Sequence, residues 1–412
     1  MDTMSEAGVV IVGAGQGGFQ LAASLRDEGW QGPVTLIGEE PCLPYQRPPL
    51  SKAFITGKSD AQQLMLRPQA FYADKGIALR LARRAGRIDR AAQRVSLEGG
   101  ESVPYAHLAL ATGARARMPA IEGIGLAGVQ ALRSMADAQA LRAALGAARR
   151  VVVIGAGFIG LEVAAAARAL GVEVDVLEFS SHALQRSVCA PTALWLTQAL
   201  QAAGVRFDFN TEVVAIEGEA GRATGVRTGD GLVYAADLVV VGTGALPNDA
   251  LAAAAGLAVD KGICVDEFLR TADPLISAIG DCASFSPGLG APAWRLESVQ
   301  NAVDHARCVA ARIAGRPAPY AKTPWFWSDQ GANRLQIAGL AQALDSAVVR
   351  GEPATGKFSV FRFRGEQLTA VESINQAGDH MVARKLLAQP CRLSAAQAAD
   401  PLFKLSHALP AP

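Results

Sequence analysis

Near the start of the chain an apolar run, Val9 to Val12, is followed by a cluster of glycines. An amphipathic stretch then passes through Leu21 and Leu25 to a second apolar run, Val34 to Ile37. Short apolar runs bounded by turn residues predict buried strands, and apolar positions three to four apart predict a helix. The stretch therefore reads strand, glycine turn, helix, strand. The same order returns in "RRVVVIGAGFIGLEVAAAARALGVEVDVLE", where Gly155 takes the place of Gly13. The separation of these two glycines is too long for a solenoid repeat and too long for one mononucleotide unit. It predicts two separate βαβ units of the dinucleotide-binding kind.

Two further patterns punctuate the chain. "AHLALATGARARMPAIEG" and "ADLVVVGTGALPN" are each an apolar strand, a glycine turn and a proline within a few residues. They read as two crossings, one leaving a first domain near Ala114 and one returning to it near Ala245. Gly315 to Pro324, with three prolines, reads as a linker. Beyond it lie the alternating runs "RLQIAGLA", "SAVVRG", "KFSVFRF" and "QLTAVESI", then the helical "DHMVARKLLAQ". The expected fold class is α/β: two Rossmann-like dinucleotide-binding domains, one inserted in the other, plus a C-terminal α+β domain. The expected boundaries are 1–114 with 245–320, then 115–244, then 321–412.

Composition narrows the chemistry. Of 412 residues half are apolar, and 39 basic residues balance 38 acidic ones to a net charge of +1. Such a balance gives no reason to expect a nucleic-acid or acidic-membrane partner. The start "MDTMSEAG" lacks the pattern of a secretory signal, and no apolar run is long enough to span a bilayer, so the expected location is the cytoplasm. Cys42, Cys189, Cys264, Cys282, Cys308 and Cys391 are scattered with no CxxC pair. Their spacing offers no metal or iron–sulfur site and no disulfide framework.

The glycine turns carry the first specific chemistry. Gly13, Gly15 and Gly18, with Gly17 beside them, form GxGxxG between a strand and a helix, as do Gly155, Gly157 and Gly160. The first glycine makes the tight turn, the second lets a pyrophosphate approach the backbone, and the third lets the helix pack on the strand. The helix start then offers free amides to phosphate. Each unit is closed by an acid that can accept ribose hydroxyls. Glu39 ends the second strand of the first unit, with Glu40 as its neighbour, and Glu178 ends that of the second. A carboxylate there repels the additional phosphate of NADP, and no arginine follows Glu178 before Arg186, so the second unit is expected to take NADH. Two dinucleotides in one chain suggest FAD in the outer, discontinuous domain and NADH in the inserted one.

Set together, "GAGQGG", "PYQRPPLSK", "ATG", "GAGFIGLE", "GTGALPN", "AIGDCA", "ESVQNA" and "WFWSDQ" resemble the FAD-dependent NADH:ferredoxin reductases of bacterial haem monooxygenases and ring-hydroxylating dioxygenases. The resemblance runs from about residue 8 into the C-terminal domain, and "RPPLSK" with "FWSD" is its most specific part. It implies that Lys52 sits beside the flavin ring, with Glu162 approaching from the inserted domain. It implies that Asp281 binds a ribityl hydroxyl and that a helix beginning near Glu297 points its amides at the flavin, with Val299 giving a backbone contact. Arg133 and Ala85 match further FAD positions, and Trp327 would lie over or beside the flavin, with Trp325 behind it or along the nicotinamide side. Between Trp325 and Trp327 the sequence does not decide which ring contacts the flavin.

The activity implied is hydride transfer from NADH to FAD, followed by single-electron delivery to a two-iron two-sulfur ferredoxin on a separate chain. An acidic partner would be steered by a basic surface, for which Arg67, Arg307 and Arg334 are candidates. Two other readings stay open. An NADH oxidase or peroxidase would use Cys42, shortly after Glu39, although Pro44, Pro48 and Pro49 delay any helix that could activate the thiol. A redox-sensing flavoprotein similar to apoptosis-inducing factor would share the fold but turn over slowly.

Overall fold

Val9, Val10 and Ile11 are almost wholly buried, as are Val151, Val152 and Val153. Strands covered on both faces are expected at the centre of parallel sheets, where helices lie on either side. A computed structural model describes residues 7–286, 293–389 and 391–410. The chain is mixed α/β, and it divides into two compact units. The first comprises residues up to Gln46, Gln62–Arg115 and Ala245–Lys322, and the second comprises Arg47–Ala61, Ala116–Gly244 and the chain from Thr323 onward.

In the first unit the strands Ile77–Arg80, Val34–Ile37, Gly8–Val12 and Ser102–Leu110 lie side by side in that order and parallel. Ile276–Ala278 pairs parallel with the far end of Ser102–Leu110. A hairpin, Ala85–Asp89 with Arg94–Leu97, pairs antiparallel with the near end of that long strand. Helices Gln16–Asp27 and Val299–Ile313 pack on this sheet and on each other. The second helix begins at Val299, slightly later than the Glu297 start expected from the sequence. Ser298 stops it there by accepting the Asn301 amide at 3.0 Å, an N-cap that fixes the first helical residue.

In the second unit five parallel strands run in the order Val205–Asp208, Glu173–Leu177, Arg150–Ile154, Leu238–Val241 and Val129–Ala131. The remainder of the unit includes an antiparallel sheet ordered Trp325–Gln330, Asn333–Gly339, Gln367–Ile374, Lys357–Arg364 and Ser346–Glu352. Helix Ala377–Leu387 covers one face, burying Ala383 and Leu386 among Ala338, Phe361 and Val371. The helical C-terminal stretch read from the sequence is this element.

The crossing segments are tied within each unit. In the first, Thr112 Oγ1 donates to the Asn248 carbonyl at 2.6 Å and the Asn248 side-chain amide returns a bond to the Thr112 carbonyl at 2.9 Å. In the second, Thr243 Oγ1 donates to the Arg117 carbonyl at 2.8 Å. No helix among the described residues is long and apolar enough to cross a membrane.

Candidate functional site

The two glycine turns are built alike. Gly13 and Gly155 sit at φ of +116° and +102°, and each donates its amide to the end of the neighbouring strand, Ile37 and Leu177, at 2.8 Å. A side chain is excluded at the third glycines. A Cβ on Gly18 would lie 1.9 Å from the Gly13 oxygen, and one on Gly160 would lie 2.3 Å from the Gly155 oxygen. The second glycines differ in kind. A Cβ on Gly15 would meet nothing within 4 Å, and one on Gly157 would meet only the Gly242 oxygen at 3.6 Å. The protein itself therefore has no steric need for glycine at those two places; a ligand approaching the backbone does. Helices Gln16–Asp27 and Phe158–Ala169 both start without a side-chain cap and without an acid in the first turn. Their first amides are left for an anion. Both turns thus fit the pyrophosphate of a dinucleotide. A Cβ on Gly17 would make only ordinary contacts, with Ile279 and Ala302 at 3.5–3.7 Å, so the packing of the first helix does not itself require glycine there.

The acids that close the two units are not equivalent. Glu178 accepts the Ala156 amide at 2.7 Å with one carboxylate oxygen and the Ser180 amide at 2.7 Å with the other. It is held against the second glycine turn. In the first unit the corresponding strand end is Gly38, where a Cβ would lie 2.7 Å from that of Ala14. Glu39, the next residue, is exposed and faces Arg84 at 3.7 Å, while Glu40 accepts the Tyr45 hydroxyl at 2.7 Å. Ala85 begins the hairpin beside this edge, where the Arg83 amide reaches the Gly38 carbonyl. Asp281 stands in a short turn, Gly280–Cys282, directly after the Ile276–Ala278 strand. The buried His305 accepts the Gly280 amide at 3.3 Å on Nδ1 and so fixes that turn.

In the second unit, one carboxylate gathers three segments. Glu162, on helix Phe158–Ala169, is 6% exposed, and Lys52 Nζ lies 2.7 Å from its Oε2. Ser51 Oγ donates to the same oxygen, and Ser328 Oγ donates to Oε1 at 2.7 Å. Lys52 also donates to the Pro48 carbonyl at 3.1 Å. A buried carboxylate would be costly alone; here its lone pairs are taken by an ammonium and two hydroxyls. Lys52 follows the short turn Pro48–Ser51, whose consecutive prolines preset the backbone. Arg47, at the head of that turn, donates to the Arg133 carbonyl just before helix Met135–Ala147, whose Ser134 and Asp137 form a capping box.

The strand Trp325–Gln330 has two faces. Phe326 meets Phe158 at 4.5 Å between ring centres, and Ser328 reaches Glu162, so the even-numbered residues face helix Phe158–Ala169. Trp325 and Trp327 project from the other face, 5.6 Å apart. Trp325 packs on helix Ala377–Leu387, with the Arg384 guanidinium 4.3 Å from its ring centre and His380 beside it. Trp327 is half-buried, on the face opposite Ser328. Of the three candidate steering residues, Arg67 and Arg307 belong to the first unit and Arg334 to the second. Arg67 lies over Phe71, Arg307 lies 3.7 Å from Asp304, and Arg334 lies 3.7 Å from Asp329.

Residues 7–306 match the family model described as "Pyridine nucleotide-disulphide oxidoreductase", and residues 325–409 match "Reductase C-terminal". The chain belongs to the pyridine nucleotide-disulphide oxidoreductase family. Rhodocoxin reductase of Rhodococcus erythropolis is 48% identical over 97% of this chain and 94% of its own. The solved ferredoxin reductase for the CYP199A2 system from Rhodopseudomonas palustris is 46% identical, with a TM-score of 0.95 over 98% of this chain and 99% of its own. Putidaredoxin reductase, in its covalent complex with putidaredoxin, is 37% identical, with a TM-score of 0.94 over 98% of each chain.

One feature falls outside the sequence reading. Ser51 and Ser328 lie inside "PPLSK" and "FWSD", so the motifs held them, but nothing in the spacing says that both turn to one carboxylate. The family name refers to disulfide chemistry, yet the six cysteines are free thiols. Burial raises the pKa of Cys282, and burial with the nearby Glu372 pushes Cys189 up to about 11, which leaves both un-ionised and inert at neutral pH.

Proposed function

We propose that this chain is a flavoprotein reductase that takes hydride from NADH and passes electrons singly to a two-iron two-sulfur ferredoxin of a bacterial haem monooxygenase or ring-hydroxylating dioxygenase. The observation that carries the reading is the Glu162 carboxylate gathering Lys52, Ser51 and Ser328 in one unit, at the residues that "GLE", "PPLSK" and "FWSD" single out. Family membership and the oxidoreductases it matches over nearly their whole length support it.

Bound FAD would supply the conversion between two-electron and one-electron chemistry. Gly13, Gly15 and Gly18 with the Gln16–Asp27 helix start would hold its pyrophosphate, with Glu39, Ala85, Asp281 and Val299 as further contacts. Gly155, Gly157 and Gly160 would hold that of NADH, and Glu178 its adenine ribose. Lys52 would bring its Nζ to the bound flavin, where negative charge would develop. Glu162 holds that ammonium in place, and the two serines orient the carboxylate so that it remains an acceptor. Trp327 is the ring proposed to shield the flavin from water, and Arg133 a further contact. Arg67, Arg307 and Arg334 would steer an acidic ferredoxin.

The test is reduction of a purified two-iron two-sulfur ferredoxin by NADH without oxygen, with catalytic amounts of this protein. Full reduction over many turnovers, slowed by salt, is expected. A protein that carries flavin and oxidises NADH yet leaves ferredoxin oxidised would overturn the proposed acceptor.

A further inference from the structure

Phe179 is a large apolar residue to which neither the fold nor the reductase chemistry assigns a task. It is 74% exposed. The backbone on either side is nevertheless fixed. The Glu178 amide donates to the Asp208 carbonyl at 2.9 Å, and the Glu178 carbonyl accepts the Thr211 amide at 3.0 Å. One residue on, the Ser180 carbonyl accepts the Asn210 amide at 3.0 Å, and the Ser180 amide binds the Glu178 carboxylate at 2.7 Å. A large ring is thus presented to solvent from a pinned main chain, immediately after the carboxylate that faces the second glycine turn.

We propose that Phe179 is the platform on which the adenine ring of NADH stacks. The inference rests on the reading of Glu178 as the ribose acceptor. Adenine is bonded to that ribose, so a base whose sugar meets Glu178 lies within reach of the next side chain. A flat apolar ring suits a purine face and gains from covering it, since both surfaces leave water together. The fixed backbone means that little freedom is lost on binding. An aromatic ring here also adds no positive charge that could attract the phosphate of NADPH, so it reinforces the choice that the carboxylate makes.

The test measures binding rather than turnover. Purified flavin-loaded protein is titrated calorimetrically with ADP-ribose, which keeps the adenine end of NADH and lacks the nicotinamide. Phe179→Ala should weaken binding about fivefold, and Phe179→Trp should restore it. In Phe179→Trp the fluorescence of the new indole should be quenched by AMP in a saturable way that the unsubstituted protein does not show. Glu178→Ala is measured in parallel. If it weakens ADP-ribose binding while Phe179→Ala does not, the stacking role is refuted and the ribose role stands. If neither substitution changes binding, both fail together.

Discussion

The two glycine turns share a backbone plan and differ in what closes them. In the second, Glu178 stands at the strand end and its carboxylate lies on the turn itself. In the first, that strand-end position is Gly38, which has no room for a side chain beside Ala14, and the acid is displaced by one residue to the exposed Glu39. One turn therefore carries a carboxylate fixed by two backbone amides, and the other an exposed one beside Arg84. A fixed carboxylate suits a substrate that must be selected on every turnover. An exposed one is sufficient for a cofactor held by many contacts.

The third glycines are the positions where substitution should do most damage. Gly18→Ala forces a Cβ against the Gly13 oxygen and should cost stability at the upper end of the ~1–3 kcal/mol of overpacking, with loss of bound flavin on gel filtration. Gly160→Ala should leave a flavin-containing protein that NADH no longer reduces. If both variants lost flavin equally, the assignment of FAD to the first turn and NADH to the second would be wrong. A smaller effect is expected at the acids. Glu178→Ala should lower kcat/KM for NADH about tenfold by removing charge-assisted hydrogen bonds. Glu39→Ala should leave it within about twofold, because its carboxylate is exposed and its ion pair with Arg84 is worth little.

Much of this was legible in the sequence for a physical reason: strands, tight turns and helix starts are written in local residue patterns. Gly13 and Gly155 announce their turns, and Lys52 and Glu162 lie in motifs specific enough to pair although they are far apart along the chain. The helix expected near Glu297 starts at Val299 because the Ser298 side chain accepts the Asn301 amide and caps it there. The convergence of Ser51 and Ser328 on Glu162 depends on how a helix and a strand approach, which no local pattern encodes. The aromatic strand illustrates both sides. Alternation alone puts Trp325 and Trp327 on one face, but only packing shows that Phe326 and Ser328 turn toward helix Phe158–Ala169.

Acid provides the mildest probe. His107 and His305 in the first unit are driven by burial to about 3, and burial with Arg384 lowers His380 in the second to about 4. The folded forms therefore bind these protons less readily than the unfolded chain does. Their stabilising contribution is complete above about pH 6.5 and is lost as the pH falls toward 3–4. Melting temperature should be flat above pH 7 and decline steadily from pH 6.5 to 4. His380→Phe should shrink the decline without removing it. A melting temperature constant down to pH 4 would contradict the neutral burial of all three.

The most direct test of the account is the rate at which the flavin absorbance bleaches on anaerobic mixing with NADH or with NADPH. With Glu178 fixed on the second turn, NADH is expected to be faster by at least about tenfold at equal, sub-saturating concentration. Equal rates, or a faster reaction with NADPH, would contradict the claim that this carboxylate selects the reductant.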